Sequence, residues 1–365
     1  MYITVSILIL FSTVTVITLN LTRFGKFPSG ERLERIKRSP NYKDGSFQNQ
    51  SITPVMAEGK SYFSVAKETM FAKRIRVTPA DSIPSVKTDL LHLDKNNDVL
   101  VWFGHSSYFM QLDGKRILVD PVLSGYASPF SFSVKSFKGT NNYTADDMPE
   151  IDYLIITHDH WDHLDYETVM ELKPRIKKVI CPLGVGEDFE YWGFDKNAIV
   201  EMDWNESATL DSGFVANALP ARHFTGRGFK RNQTLWVSYL LQTPTMKIFI
   251  GGDGGYDKHF AEIGNKFGPI DLAILENGQY NENWKYIHLL PADLIKAFNN
   301  LNARRLFPVH SSKFALSIHP WDEPLATIAA SSKLLHIPLI TPMIGEQVNL
   351  KDSTQEFTEW WENVN

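Results

Sequence analysis

The stretch ITHDHWDHLD, Ile156 to Asp165, constrains this chain more than any other. It places His158, His160, His163 and Asp159, Asp162, Asp165 within a few residues, and the apolar run IDYLII leads straight into it. An apolar run of that length reads as a buried strand, so the titratable groups emerge at the edge of a core. Desolvating so many of them is costly unless something binds them. No capping or turn rule asks for three close histidines, and a bound metal satisfies the cluster.

Further His and Asp residues stand at the ends of other apolar runs: His223 in LPARHFTGRGF, Asp253 in IFIGGDGGY and His310 in LFPVHSSKF. With His158, His160, Asp162 and His163 they make a candidate metal-ligating set brought together by the fold. The single cysteine, Cys181, excludes an intrachain disulfide and a thiolate-rich site. Imidazole and carboxylate ligands suit zinc, manganese or iron, and the mostly nitrogen set favours zinc.

Short apolar runs alternate with helical patterns beyond Asn97, and two strand-rich halves, each backed by helices, predict a four-layer αββα sandwich. VLVWFGHSSYFMQLDGKRILVDPVL reads as two strands joined by an Asp113-Gly114 turn. A composition of 43% hydrophobic and 22% charged residues is ample for a sizeable core. The formal net charge of −5 gives no whole-chain basic field, which argues against a nucleic-acid partner. Oligomeric state is not legible.

The N-terminus departs from the globular pattern. Met1 to Thr22 carries no charge and is about as long as a bilayer-spanning helix. Arg23, Lys26, Arg32, Arg35, Lys37 and Arg38 follow it, which by the positive-inside rule keeps the body cytoplasmic. A signal peptide would want a positive leading region and a small-residue cleavage site, neither of which is evident. The expected organisation is a membrane anchor over 1–22, a linker and N-terminal extension over 23–88, a catalytic domain over 89–350 and a tail over 351–365.

THDHWDH matches the H-x-H-x-D-H signature of the metallo-β-lactamase superfamily, and His223, Asp253 and His310 follow in the order of its remaining motifs. Within it the chain most resembles the branch containing N-acylphosphatidylethanolamine-hydrolysing phospholipase D and its bacterial relatives, through WFGHSSYFMQLDGKRILVDPVLS, GDGGYDKHFAEIGNKFGPIDLAILENGQY and FPVHSSKFAL. The resemblance runs from about Val99 to Pro320 and leaves out the N-terminal segment. It implies the αββα metallo-β-lactamase fold and two divalent ions, zinc before manganese or iron. His158, His160 and His223 would hold one ion, Asp162, His163 and His310 the other, and Asp253 would bridge them.

The same resemblance makes Asp162 and His288 catalytic candidates, Asp162 orienting the attacking water and His288 serving the leaving oxygen; the plain reading of His288 is a surface histidine flanking a helix. Asp120 in LVDP, and after it His105 in FGHSS, are candidates for holding a ligand side chain in place; the plain reading of Asp120 is a strand end before Pro121. Arg227, four residues past His223, is a candidate phosphate contact or an ordinary loop arginine. The implied activity is cleavage of a phospholipid phosphodiester, on N-acylphosphatidylethanolamine. The alternatives are a lactonase or sugar-phosphate hydrolase on a soluble substrate, a mononuclear iron sulfur dioxygenase, and a non-catalytic membrane scaffold.

Overall fold

The apolar runs become strands covered on both faces, which is why they read as nearly continuous hydrophobic sequence. The computed structural model describes residues 2–71, 73–211 and 213–365, without the side chains of residues 2, 3, 8, 9, 11 and 69. A small hairpin, β1 (Tyr42–Lys43) with β2 (Ser46–Phe47), precedes the main sheets. The first main sheet contains β3 (Val99–Trp102), β4 (Tyr108–Leu112), β5 (Lys115–Val119), β6 (Ile151–Ile155), β7 (Ile176–Pro182) and β8 (Ile199–Met202). The second contains β9 (Ser207–Asp211), β10 (Phe214–Leu219), β11 (Ser238–Gln242), β12 (Lys247–Ile250), β13 (Leu272–Glu276) and β14 (Leu306–Val309). The last strand, β15 (Gln347–Asn349), returns to the first sheet, giving the orders β15-β3-β4-β5-β6-β7-β8 and β14-β13-β12-β11-β10-β9. Strands β5 to β8 and β12 to β14 run parallel; the other main-sheet pairs are antiparallel.

Side-chain alternation sorts each strand between two cores. Along β11 and β12, Tyr239, Leu241, Ile248 and Ile250 face the core between the sheets, whereas Leu240 and Phe249 face the outer helices. Those helices are α6 (His259–Phe267), α7 (Pro291–Asn300) and α8 (Glu323–Leu335). On the other side α4 (Tyr166–Leu172) and α5 (Gly186–Tyr191) cover the first sheet, where Val169, Leu172 and Phe189 pack with Leu118, Leu154 and Val179. This is the expected four-layer αββα sandwich of the α/β class.

The run expected to hold two strands holds three. Asp113 and Gly114, at φ +48° and +76°, turn β4 into β5 as read from the sequence. A second turn at Gly104 and His105, φ +83° and +52°, splits the earlier part into β3 and β4. Apolar residues flank the Gly-His-Ser-Ser turn so closely that the break is masked in the pattern.

The N-terminal segment does form a helix, α1 (Tyr2–Leu19), but the expected spanning anchor is not supported. Among the described residues no helix is long and apolar enough to cross a membrane. Its 18 residues rise about 27 Å, short of a hydrocarbon layer of about 30 Å, and Thr4, Ser6, Ser12, Thr13, Thr15 and Thr18 interrupt its surface. The chain then passes through α2 (Gly30–Arg38), packed on the first sheet, and α3 (Tyr62–Phe71). At the other end Trp360 and Trp361 are buried in the core between the sheets, so the aromatic tail closes the sandwich.

Candidate metal centre

The ends of strands from both sheets converge on one cleft. His158, His160, Asp162 and His163 leave the carboxyl end of β6; His223 follows β10, Asp253 follows β12 and His310 follows β14. Parallel strands deliver loops to a common edge, which is why an open α/β sheet collects ligands there.

Two sets of donor atoms result. His158 Nε2 and His223 Nε2 lie 2.9 and 3.3 Å from His160 Nδ1. Nitrogens bound to one tetrahedral zinc ion stand about 3.3 Å apart for bonds of about 2.05 Å, so these three fit a single ion. Asp162, His163 and His310, with His105, make a second set whose ligand atoms all lie within 4.8 Å of one another. Asp253 stands between the sets: Oδ2 is 3.9 Å from His158 Nε2, 3.8 Å from His223 Nε2 and 3.2 Å from His163 Nε2, and Oδ1 is 3.2 Å from His310 Nδ1. Buried polar atoms ordinarily find partners, yet His163 Nε2 and Asp253 Oδ1 are buried without a hydrogen bond. An imidazole nitrogen and a carboxylate oxygen left without hydrogen bonds in a buried cluster are what a pair of bound ions would satisfy. The residues present therefore fit a binuclear centre, and the donor types leave the element open.

Electrostatics divide the histidines: burial acts against charge at His163 too, but the carboxylates of Asp253, Asp162 and Asp120 hold it well above its ordinary range. Burial pushes the imidazoles of His158, His160, His223 and His310 below their ordinary range, keeping them in the neutral form that binds metal. Burial alone would raise the carboxyls of Asp162 and Asp253, but the imidazoles around them, His163 foremost, hold both well below the usual range.

Neighbouring groups orient the donors. Asp120 accepts from Thr157 N at 2.9 Å, from Thr157 Oγ1 at 2.6 Å and from His163 Nδ1 at 2.8 Å, fixing which nitrogen of His163 faces the centre. His105 Nε2 donates to Asp162 Oδ2 at 2.9 Å. His223 Nδ1 donates to the Ile287 carbonyl at 2.8 Å, freeing Nε2 for the His158–His160 group.

Arg227 is placed elsewhere. Its guanidinium donates to the carbonyls of Asp159, Leu164 and Arg23 and lies 3.7 Å from the centroid of the Trp161 ring. It is buried as a clamp between loops and does not line the cleft, because unpaired carbonyls within reach claim the fork of N–H groups before solvent can.

His288 does line the cleft, beside His223 and His310. Its Nδ1 donates to Glu276 Oε2 at 2.5 Å. Glu276 was absent from the sequence reading. It ends β13, and its other oxygen accepts the backbone N–H groups of Gly254 and Leu289 at 2.8 and 3.1 Å. Burial acts against a charged imidazole, but this carboxylate holds His288 above its ordinary range. An acid closing the otherwise apolar LAILE was the available signal. Asp159, counted in the sequence cluster, takes a different role: it accepts from Gly226 N and Thr234 Oγ1, tying the loop after His223 to the histidine cluster.

The cleft has a volume of about 300 Å³, and Val55, Met56, Phe224, Trp284 and Leu316 give it apolar walls around the metal-ligating groups.

Comparison with known proteins adds four findings. Residues 115–311 match the family model described as "Beta-lactamase superfamily domain". The chain is 34% identical to an uncharacterized protein of Mycobacterium tuberculosis over 329 residues, 89% of this chain and 88% of the relative. It is 29% identical to N-acyl-phosphatidylethanolamine-hydrolyzing phospholipase D 1 of Caenorhabditis elegans, over 67% of this chain and 74% of that protein. Among solved structures, CmlA, a diiron β-hydroxylase from Streptomyces venezuelae, superposes with a TM-score of 0.55 at 18% identity, covering 69% of this chain and 54% of that one. That likeness concerns the fold alone.

Proposed function

Since the chain belongs to the metallo-β-lactamase superfamily and is a metal-dependent hydrolase with a buried His/Asp metal site, we propose that its reaction is hydrolysis of a phospholipid phosphodiester, of the phospholipase D type. The observation that carries the hydrolytic reading is the convergence of two donor sets on Asp253 at the floor of an open cleft. The phospholipid reading is supported by the similarity to the C. elegans phospholipase D and by the apolar walls around the centre.

When bound, the two divalent ions supply Lewis-acid chemistry toward water and the ester oxygens. The chain's own residues do the rest. His158, His160 and His223 would hold one ion and Asp162, His163 and His310 the other, with Asp253 placed between the two sets. Asp120 and His105 keep His163 and Asp162 in register. Asp162, mostly buried but lining the cleft, orients the attacking water by accepting its hydrogen bond. His288, with Nδ1 committed to Glu276, presents Nε2 to the leaving oxygen and donates a proton to it. Phe224, Trp284 and Leu316 offer the apolar arm of the substrate a dry wall.

The test is turnover by the full chain of N-acylphosphatidylethanolamine in mixed micelles, beside a soluble bis-nitrophenyl phosphodiester and a lactone. Release of a phosphatidic acid and an N-acylethanolamine, lost in His160→Ala, is the expected result. Turnover of the lactone alone would overturn the lipid assignment and keep the hydrolase.

A further inference from the structure

Among the described residues lining the cleft, one carries a permanent positive charge: Arg231. Its environment is unlike that of the other arginines nearby. Arg227 is buried against carbonyls, and Arg222 is bound to Thr53, to the Ile52 and Tyr256 carbonyls, and lies near Asp257. The acids around the mouth are also answered: Glu58 lies near Lys285, and Glu68 pairs with Lys60. Arg231 is exposed, and among the described residues no carboxylate comes within ion-pair distance of it.

It is nevertheless held in place. The guanidinium lies over two aromatic rings, 4.9 Å from the centroid of Phe224 and 5.3 Å from that of Tyr62. One Nη1–H donates to the Tyr62 hydroxyl at 2.6 Å. The two ring contacts and the bond to Tyr62 restrict where the guanidinium sits, and its remaining N–H groups can bind two oxygens of a planar or tetrahedral oxyanion. The Tyr62 oxygen accepts from Arg231, so its own O–H is free to donate to the same anion. Phe224 in turn packs on His160, 4.6 Å between centroids, which sets the guanidinium across one aromatic ring from the metal-ligating group. An unpaired cation clamped in position beside apolar walls is an anion receptor already organised for binding.

We propose that Arg231 and Tyr62 form an oxyanion-binding site at the mouth of the metal cleft, taking a phosphate or carboxylate of an amphiphile whose apolar part lies along Phe224, Trp284 and Leu316. The anion belongs either to the molecule in the cleft or to a lipid headgroup beside it; the chemistry is the same. The site rests on the hydrolase reading only for what happens to the bound ester, since recognition needs no turnover.

The experiment is binding by the full, zinc-loaded chain, comparing wild type with Arg231→Gln, Arg231→Lys and Tyr62→Phe. Phenylphosphonate is titrated by calorimetry, and sedimentation measures binding to phosphatidylcholine vesicles with and without phosphatidylglycerol. Loss of a charge-assisted pair weakens binding by roughly 10- to 100-fold, so that loss is expected for Arg231→Gln. Arg231→Lys keeps charge without the fork and should recover part of it, and Tyr62→Phe should lose less than Arg231→Gln. A loss confined to phenylphosphonate assigns the anion to the molecule in the cleft; a loss confined to phosphatidylglycerol vesicles assigns it to a neighbouring headgroup. Unchanged binding of both probes in Arg231→Gln, with zinc content intact, would overturn the proposal. A wild-type protein that hydrolyses no ester yet binds phenylphosphonate through Arg231 would overturn the function above and uphold this site.

Discussion

In the proposed mechanism Glu276 acts through His288. Its carboxylate accepts from His288 Nδ1 and from two backbone N–H groups, so the ring cannot rotate without breaking a bond in a buried place. Glu276→Gln should therefore lower kcat by about 10- to 100-fold with KM little changed, because a general acid contributes in the transition state and little to ground-state binding. In a His288→Ala background the same substitution should have almost no further effect. Equal losses in both backgrounds, read by steady-state kinetics, would show that Glu276 acts some other way. A second buried acid governs stability. Burial pushes the Asp188 carboxyl up to about 8, whereas the unfolded chain titrates it near about 3.9. Between those values the folded protein keeps a proton that the unfolded chain has lost, so this group's contribution to stability falls as pH rises from about 4 to about 8 and is level outside that window. Asp188→Asn removes the fall. Melting curves should show the variant gaining on wild type as pH rises from 5 to 8; curves that run parallel would contradict the assignment.

At the scale of elements, α2 is pinned to the sandwich by Arg32, which meets Glu187 and Glu190 of α5 and Glu201 of β8 at 2.7, 2.5 and 2.7 Å. Removing one member of a partly buried ion cluster strands the others, at a cost of about 3–5 kcal/mol. Arg32→Met should lower the melting temperature accordingly, and adding Glu187→Gln and Glu201→Gln should restore part of the loss; no recovery would mean that α2 is held by Ile36 instead. How much of this was legible follows from what each element shows in one dimension. The strands ahead of His158, Asp253 and His310 were readable because they are apolar on both faces and end abruptly in titratable residues. The Asp113-Gly114 turn was readable because it needs positive φ at two positions. The break between β3 and β4 was not, since its glycine sits inside an apolar stretch. Neither was β9, whose SATLD alternates weakly at a sheet edge. The candidate metal ligands stood out by residue type, whereas the contacts of Glu276, Asp159 and Arg231 are made with partners that no spacing rule records. Arg227 shows the converse: its proximity to His223 suggested the cleft, and the loop's fold turned it into a clamp.

At the scale of the whole molecule, the centre is shared between the sheets. His158, His160, Asp162 and His163 come from the first, and His223, Asp253 and His310 from the second. Bound ions would therefore tie the two halves of the sandwich together, and ligands that bind only the folded state stabilise it by mass action. Chelation should lower the melting temperature, and restoring divalent metal should return it. A melting temperature indifferent to chelator would show that the sheets hold together by the inter-sheet core alone. The most direct test of the central claim is the metal content of the purified full chain by elemental analysis, on wild type and His160→Ala. Two divalent ions per wild-type chain, with the variant losing occupancy and ester turnover together, is the expected result. A single iron per chain with thiol-dependent oxygen uptake, or full turnover in metal-free protein, would contradict it.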